Sequence, residues 1–270
     1  MSDGRVLAQL YLEQQRLLGG DPVTWAVGQL GGHTDAEASP PPSTLGPTAA
    51  DRPTAGAPEP PAVEEWPPPG ISYDPPGGDL FANDPVQQAR SLADIAALVA
   101  GCTKCRLCES RSRTVPGEGP DDARLVVVGE GPGRTEDETG RPFVGQAGEL
   151  LTKILAAIDF PREQVFICNV VKCRPPENRT PQYDELQACV PYLFRQLDLL
   201  HPSVILAMGG TAAQTLLNTK QSLGALRQQL HRFRGIPVIV TYHPAALLRN
   251  PHWKRPTWDD VRIARRLLER

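Results

Sequence analysis

The chain has 270 residues, among them 29 prolines and 24 glycines, and a formal net charge of −3. No run of about 18 apolar residues occurs, which excludes a transmembrane helix, and the uneven placement of Pro and Gly leaves only part of the chain able to build a core. The net charge conceals an asymmetry: residues 1–100 hold 4 Lys and Arg against 13 Asp and Glu (net −9), and residues 101–270 hold 24 against 18 (net +6). A basic domain with an acidic extension suits a nucleic-acid partner.

Residues 4–18 place Val6, Leu7, Leu10, Tyr11, Leu17 and Leu18 at helical spacing before Gly19-Gly20, predicting one amphipathic helix within an N-terminal segment, 1–33. Asp3, Arg5, Glu13 and Arg16 interrupt its apolar positions, unlike a signal peptide, so a cytoplasmic protein with reduced thiols is expected. Residues 34–85 are rich in Pro, Ala, Gly and acidic side chains, including Pro40-Pro41-Pro42 and Pro67-Pro68-Pro69, and read as a disordered linker with no core of its own. Folding resumes in a domain spanning 86–270. There Ser91-Leu92-Ala93-Asp94 caps a helix that buries Leu92, Ile95, Ala96 and Val99.

Four short apolar runs follow, at 125–128, 165–171, 204–207 and 238–240, separated by helical patterns at 149–158, 183–200 and 211–217. A last helix is expected at 258–268. Near-continuous apolar strands with helical crossovers define an α/β fold whose parallel sheet is covered on both faces. Ligands of such sheets sit beyond the carboxyl ends of the strands. Gly129-Glu130-Gly131-Pro132-Gly133, Asn169, Gly209-Gly210 and His243 all fall there.

Cys102-x2-Cys105 with the distant Cys173 and Cys189 offers soft ligands for zinc or an iron–sulfur centre. The spacing does not match a compact zinc ribbon, which puts the cluster ahead of zinc. Cys108 extends the first pair to C-x2-C-x2-C, so any two of those three could ligate, and Cys168, inside an apolar run, reads as a buried small side chain. Taken singly, Glu136 belongs to a solvated acidic run, Phe143 to a core, Asn169 to a strand-end turn and His243 to a satisfied structural histidine. Together they supply the carboxylate, ring, amide and imidazole that stack on, read and polarise an extruded base.

The stretches GEGPGRTEDETGRPFVGQAGELL (129–151), NVVKCRPPENRTP (169–181) and YHPAALLRNP (242–251), preceded by CTKCRLCESRSRTVPGEG (102–119), resemble the type-4, iron–sulfur branch of the uracil-DNA glycosylases over residues 90–270. The resemblance implies a three-layer α/β/α sandwich around a four-stranded parallel sheet, a [4Fe–4S] cluster on Cys102, Cys105, Cys173 and Cys189 with Cys108 as an extra, and a DNA-repair hydrolase that frees uracil from DNA. It maps family function onto Glu130, Glu136, Asn178 and His243 for catalysis, and onto Gly131, Phe143, Asn169 and His243 for uracil binding. Leu247, Leu248 and Arg249 would enter or grip the duplex. Position 131 is Gly where many relatives carry Ala, a departure expected to be mild. The segment after Cys173 lacks the histidine-bearing insertion of a covalently trapping branch, so turnover is expected. A monomer is expected, with the N-terminal helix and proline-rich arm recruiting a protein partner. The rival reading is a non-catalytic nucleic-acid-binding scaffold stapled by zinc.

Overall fold

The computed structural model describes residues 67–75 and 84–269. The helix expected at 4–18 and most of the expected linker lie outside them. Within them a six-stranded sheet runs in the order β1 (Pro69–Tyr73), β5 (Leu230–Phe233), β6 (Ile236–Thr241), β4 (Val204–Met208), β2 (Leu125–Gly129), β3 (Val165–Asn169). The four strands expected from the apolar runs are the parallel set β6-β4-β2-β3. The expectation of four strands is thus corrected to six: β5 joins β6 antiparallel, and β1 adds to β5 in parallel.

Strand β1 lies inside the segment read as linker, and its composition gives no strand signal. Tertiary contacts create it. Ile71 N donates to Nδ1 of the buried His231 at 2.8 Å, and Leu230 N donates to the Pro68 carbonyl at 2.9 Å. A Cβ on Gly70 would lie 2.4 Å from the same imidazole nitrogen, so only glycine lets β1 approach.

Both faces of the sheet are covered, which is why the central strands are apolar at every position. Leu125 and Val127 face one core with helix α5 (Gln146–Ala156) and helix α10 (Lys254–Leu268). Val126 and Val128 face the other, with α6 (Tyr183–Leu200) and α7 (Gly210–Leu217). A third cluster packs three short helices, α1 (Pro85–Gln88), α2 (Leu92–Ala100) and α3 (Leu107–Ser110), against α6. Ser91 caps α2 as expected, in a reciprocal box with Asp94 (3.1 and 3.0 Å).

The remaining helices, α4 (Arg134–Thr139), α8 (Leu223–Leu226) and α9 (Pro244–Arg249), lie beyond the strand ends. Register brings those ends level: Gly129 pairs with Asn169, and Met208 with Thr241. The side chains that follow them therefore open onto one place.

Candidate active site and cysteine pocket

A cavity of about 780 Å³ occupies that place. It gathers Glu130, Gly131, Glu136, Phe143, Asn169, Asn178, His243 and Arg249, with Tyr242 and Trp253 along one wall. Leu247 and Leu248 do not line it.

Asn169 ends β3 and is 1% exposed, and its Oδ1 is a buried acceptor with no hydrogen-bond partner in the protein. An orphaned buried acceptor on a cavity wall calls for a donor from outside the protein, a ligand or a water. Beside it Gly129 leaves the room that both recognition groups occupy: a Cβ there would come within 2.4 Å of Asn169 Oδ1 and 2.6 Å of Phe143 Cζ.

Phe143 is held at φ +50, a left-handed conformation unusual for a ring-bearing residue. Two side chains fix it there. Arg162 donates to the Phe143 carbonyl at 2.9 Å and to that of Pro142 at 2.6 Å. Glu136 accepts the N–H groups of Val144 and Gly145, both at 2.9 Å, and with its other oxygen that of Gly133 at 3.1 Å. Glu136 is thereby a clamp joining the N-terminus of α4 to the Phe143 loop. Sequence gave no sign of Arg162, which acts from a turn 19 residues downstream.

His243 caps α9, its Nδ1 accepting the Ala245 N–H at 3.2 Å. That bond leaves the ring proton on Nε2. Burial, and secondarily the nearby Arg249 cation, push its pKa down to about 4, so at neutral pH the imidazole is an uncharged donor. The ring lies 5.4 Å from that of Phe143, centroid to centroid. Glu130 accepts from the Thr211 hydroxyl at 2.5 Å. Asn178, at φ +57, accepts from Arg174 Nε at 2.8 Å.

Leu247, expected to enter the duplex, is instead 1% exposed and packs in the core against α5, while Leu248 is 45% exposed. At Gly131 a Cβ would lie 2.7 Å from Val171 Cγ2, so an alanine there requires that side chain to give.

The second site lies beneath α2 and α3. Cys102, Cys105, Cys173 and Cys189 line one pocket, and Cys108 joins them on its wall, whereas Cys168 is buried in the core beside α6 and α7. Among the described residues no three His, Cys, Asp or Glu side chains converge on a single metal ion. Burial raises the thiols of Cys105 and Cys173 and pushes that of Cys189 up to about 12. Polar groups nevertheless point at the sulfurs: Arg111 donates to Cys173 Sγ at 3.1 Å, and the Lys172 N–H to Cys189 Sγ at 3.2 Å. Thiols spaced around a pocket and already hydrogen-bonded at sulfur fit a multi-iron cluster.

The pocket is linked to the cavity along α6. Glu185, buried at its N-terminus, pairs bidentately with Arg179 on the cavity wall (2.6 and 2.8 Å) and lies 3.9 Å from Arg106 in the Cys102–Cys108 loop. These charges hold the Glu185 carboxyl below its usual range, Arg179 first.

Residues 116–264 match the family model described as the uracil DNA glycosylase superfamily, more than half of the chain, and the chain belongs to that superfamily. Its relatives define the branch. It is 45% identical to the type-4 uracil-DNA glycosylase of Pyrobaculum aerophilum over 168 residues, covering 59% of this chain and 86% of that protein. To the type-4 uracil-DNA glycosylase of Thermotoga maritima it is 44% identical over 180 residues, 65% of this chain and 94% of the relative. A type-5 uracil-DNA glycosylase of Thermus thermophilus is more distant, 31% identical over 194 residues, 56% of this chain and 86% of the relative. The chain is thus a member of the type-4 uracil-DNA glycosylase family.

Proposed function

We propose that the protein hydrolyses the N-glycosidic bond of deoxyuridine in DNA, releasing uracil and leaving an abasic site. The observation that carries this reading is the unpartnered Asn169 Oδ1, buried in the cavity beside Phe143. A uracil stacked on Phe143 offers its N3–H to that oxygen and its O4 to the Asn169 amide N–H. Cytosine reverses both, placing an acceptor at N3 and a donor at C4, and is refused because buried groups would be left unpaired.

Bond cleavage puts positive character on the sugar and negative charge on the departing base. The Nε2–H of neutral His243 donates to uracil O2 as that charge grows, and a depressed pKa suits a group that stabilises an anion without giving up its proton. Water adds to C1′ as the C1′–N1 bond breaks, and the proton that water loses neutralises the departing uracil anion. Glu130 offsets the sugar charge, and Asn178, which lines the same cavity, orients water. Leu248, exposed beside Arg249, is the side chain that fills the space of the extruded nucleotide.

Cys102, Cys105, Cys173 and Cys189 would hold a [4Fe–4S] cluster, which supplies a cross-link between the segment before β2 and the segment after β3. Binding iron is what makes ionised sulfur favourable at this buried site. The test is paired: the purified protein should carry about four irons with broad visible absorption and release free uracil from a uracil-containing duplex. A colourless zinc protein without uracil release would support the scaffold reading instead.

A further inference from the structure

Lys172 is 1% exposed and among the largest fully buried side chains of the molecule, yet none of the reaction described above uses it. Its ammonium donates to the Asn169 carbonyl at 2.8 Å and to Gln196 Oε1 at 2.6 Å. No Asp or Glu among the described residues pairs with it. Both of its side-chain bonds go to neutral oxygens, while the Cys189 sulfur, when ionised, supplies an opposite charge nearby.

The placement of those bonds is specific. Asn169 is the last residue paired in the sheet, and beyond it the chain turns as Val170 and Val171 donate to the carbonyls of Gly129 and Glu130 (2.9 and 3.1 Å). The Asn169 carbonyl lies outside the ladder at this point, and Lys172 takes it. The same residue is fixed on its other side: its N–H donates to Cys189 Sγ at 3.2 Å, its carbonyl accepts from Val115 N at 2.8 Å, and its stem lines the cysteine pocket. Gln196, its second anchor, is itself tied to the Pro116 carbonyl at 2.8 Å.

We propose that Lys172 is a positioning residue for base recognition, setting the orientation of the Asn169 amide by holding the Asn169 backbone and tying it to the cysteine-bearing segment. The inference rests on the reading of Asn169 as the base-reading group. A bond from a charged donor is shorter and stiffer than a neutral one, which is what a side chain two bonds from the held carbonyl needs if its amide is to meet a ligand edge within a few tenths of an ångström.

The test is a double-mutant cycle on the iron-loaded full chain, using Lys172→Met, Asn169→Ala and both together. Measured are single-turnover uracil release from a duplex, affinity for free uracil by calorimetry, and iron per chain. Lys172→Met should slow release and weaken free-uracil affinity by about 10-fold each, a loss of orientation rather than of the group. Asn169→Ala should cost more, and Lys172→Met should add nothing once Asn169 is gone. Multiplying effects, or losses that track iron alone, would overturn the proposal. Should Lys172→Met not be recoverable, Gln196→Leu removes the second anchor and must show the same non-additivity with Asn169→Ala. If Asn169→Ala itself leaves release unchanged, the reading of the base pocket fails, and the role of Lys172 with it. If Asn169→Ala is slow and Lys172→Met behaves as the parent, only the role of Lys172 fails.

Discussion

Gly129→Ala offers a sharp test of the base pocket because the three atoms nearest the added methyl all belong to the two groups assigned to recognition. Gly129 does not have a positive φ, so alanine brings no backbone strain. The methyl would lie 2.4 Å from Asn169 Oδ1, where ordinary contact begins at 3.4 Å, so the amide and the Phe143 ring must be displaced by about 1 Å. A displacement on the order of 1 Å in a positioned group lowers rate by about 10²-fold, or about 2.7 kcal/mol of barrier. Overpacking costs about 1–3 kcal/mol of stability, enough to lower the melting temperature by a few degrees without unfolding the domain. Single-turnover uracil release, affinity for uracil-free duplex at one salt concentration and thermal melting separate these effects. The expected variant is folded, binds duplex normally and releases uracil about 100-fold more slowly. A folded Gly129→Ala protein with the parent rate would show that Asn169 and Phe143 do not form the recognition surface.

His243→Ala should slow the chemical step by about 10²-fold with little change in duplex affinity, which phosphate contacts carry. In the parent the acid limb due to this group should fall near pH 4 rather than 6.5, because the lowered pKa keeps the ring neutral above that. The unfolded chain binds the proton first as pH falls, so the stability contribution present above 6.5 is lost between about 6.5 and 4, and melting against pH reads it. Leu247→Ala should destabilise the fold by about 2–5 kcal/mol, whereas Leu248→Ala should leave melting unchanged and slow release from duplex more than from single strands; the reverse pattern would restore Leu247 as the wedge. Removing residues 1–66 should leave melting and uracil release near the parent values. Removal through residue 83 takes β1 as well, and should lower melting by stripping the cover from β5 and leaving His231 Nδ1 without its donor.

The parallel strands were legible because burial on both faces makes every position apolar, helix α2 because its cap and period agree, and α6 because its helical period runs long. Strands β1 and β5 were not. Each is short, Leu230–Phe233 alternates with charged Arg232 exposed, and β1 exists only through a histidine 160 residues away. At the site, residue types and strand-end positions pointed to Phe143, Asn169 and His243. Which carboxylate was engaged by backbone amides depended on a loop folding back onto Glu136, and the helical phase that separates Leu247 from Leu248 depended on how α9 docks on α5. Arg162 carries no motif, and its partners are main-chain carbonyls, which every residue possesses; Lys172 lies in a quoted stretch, but its partners, the Asn169 carbonyl and Gln196 Oε1, come together only in the fold.

The 160 residues between Ile71 and His231 also set a schedule for synthesis. At about 5–20 residues per second, β1 waits roughly 8–30 s after emerging before its partner strand exists. All four proposed cluster cysteines have been made by residue 189, before β4, β5 or β6. On a ribosome stalled near residue 200, the nascent chain would therefore hold a complete set of those thiols but neither His243 nor an edge for β1 to join. Half of the base cavity is still to be translated when the last of those thiols is made.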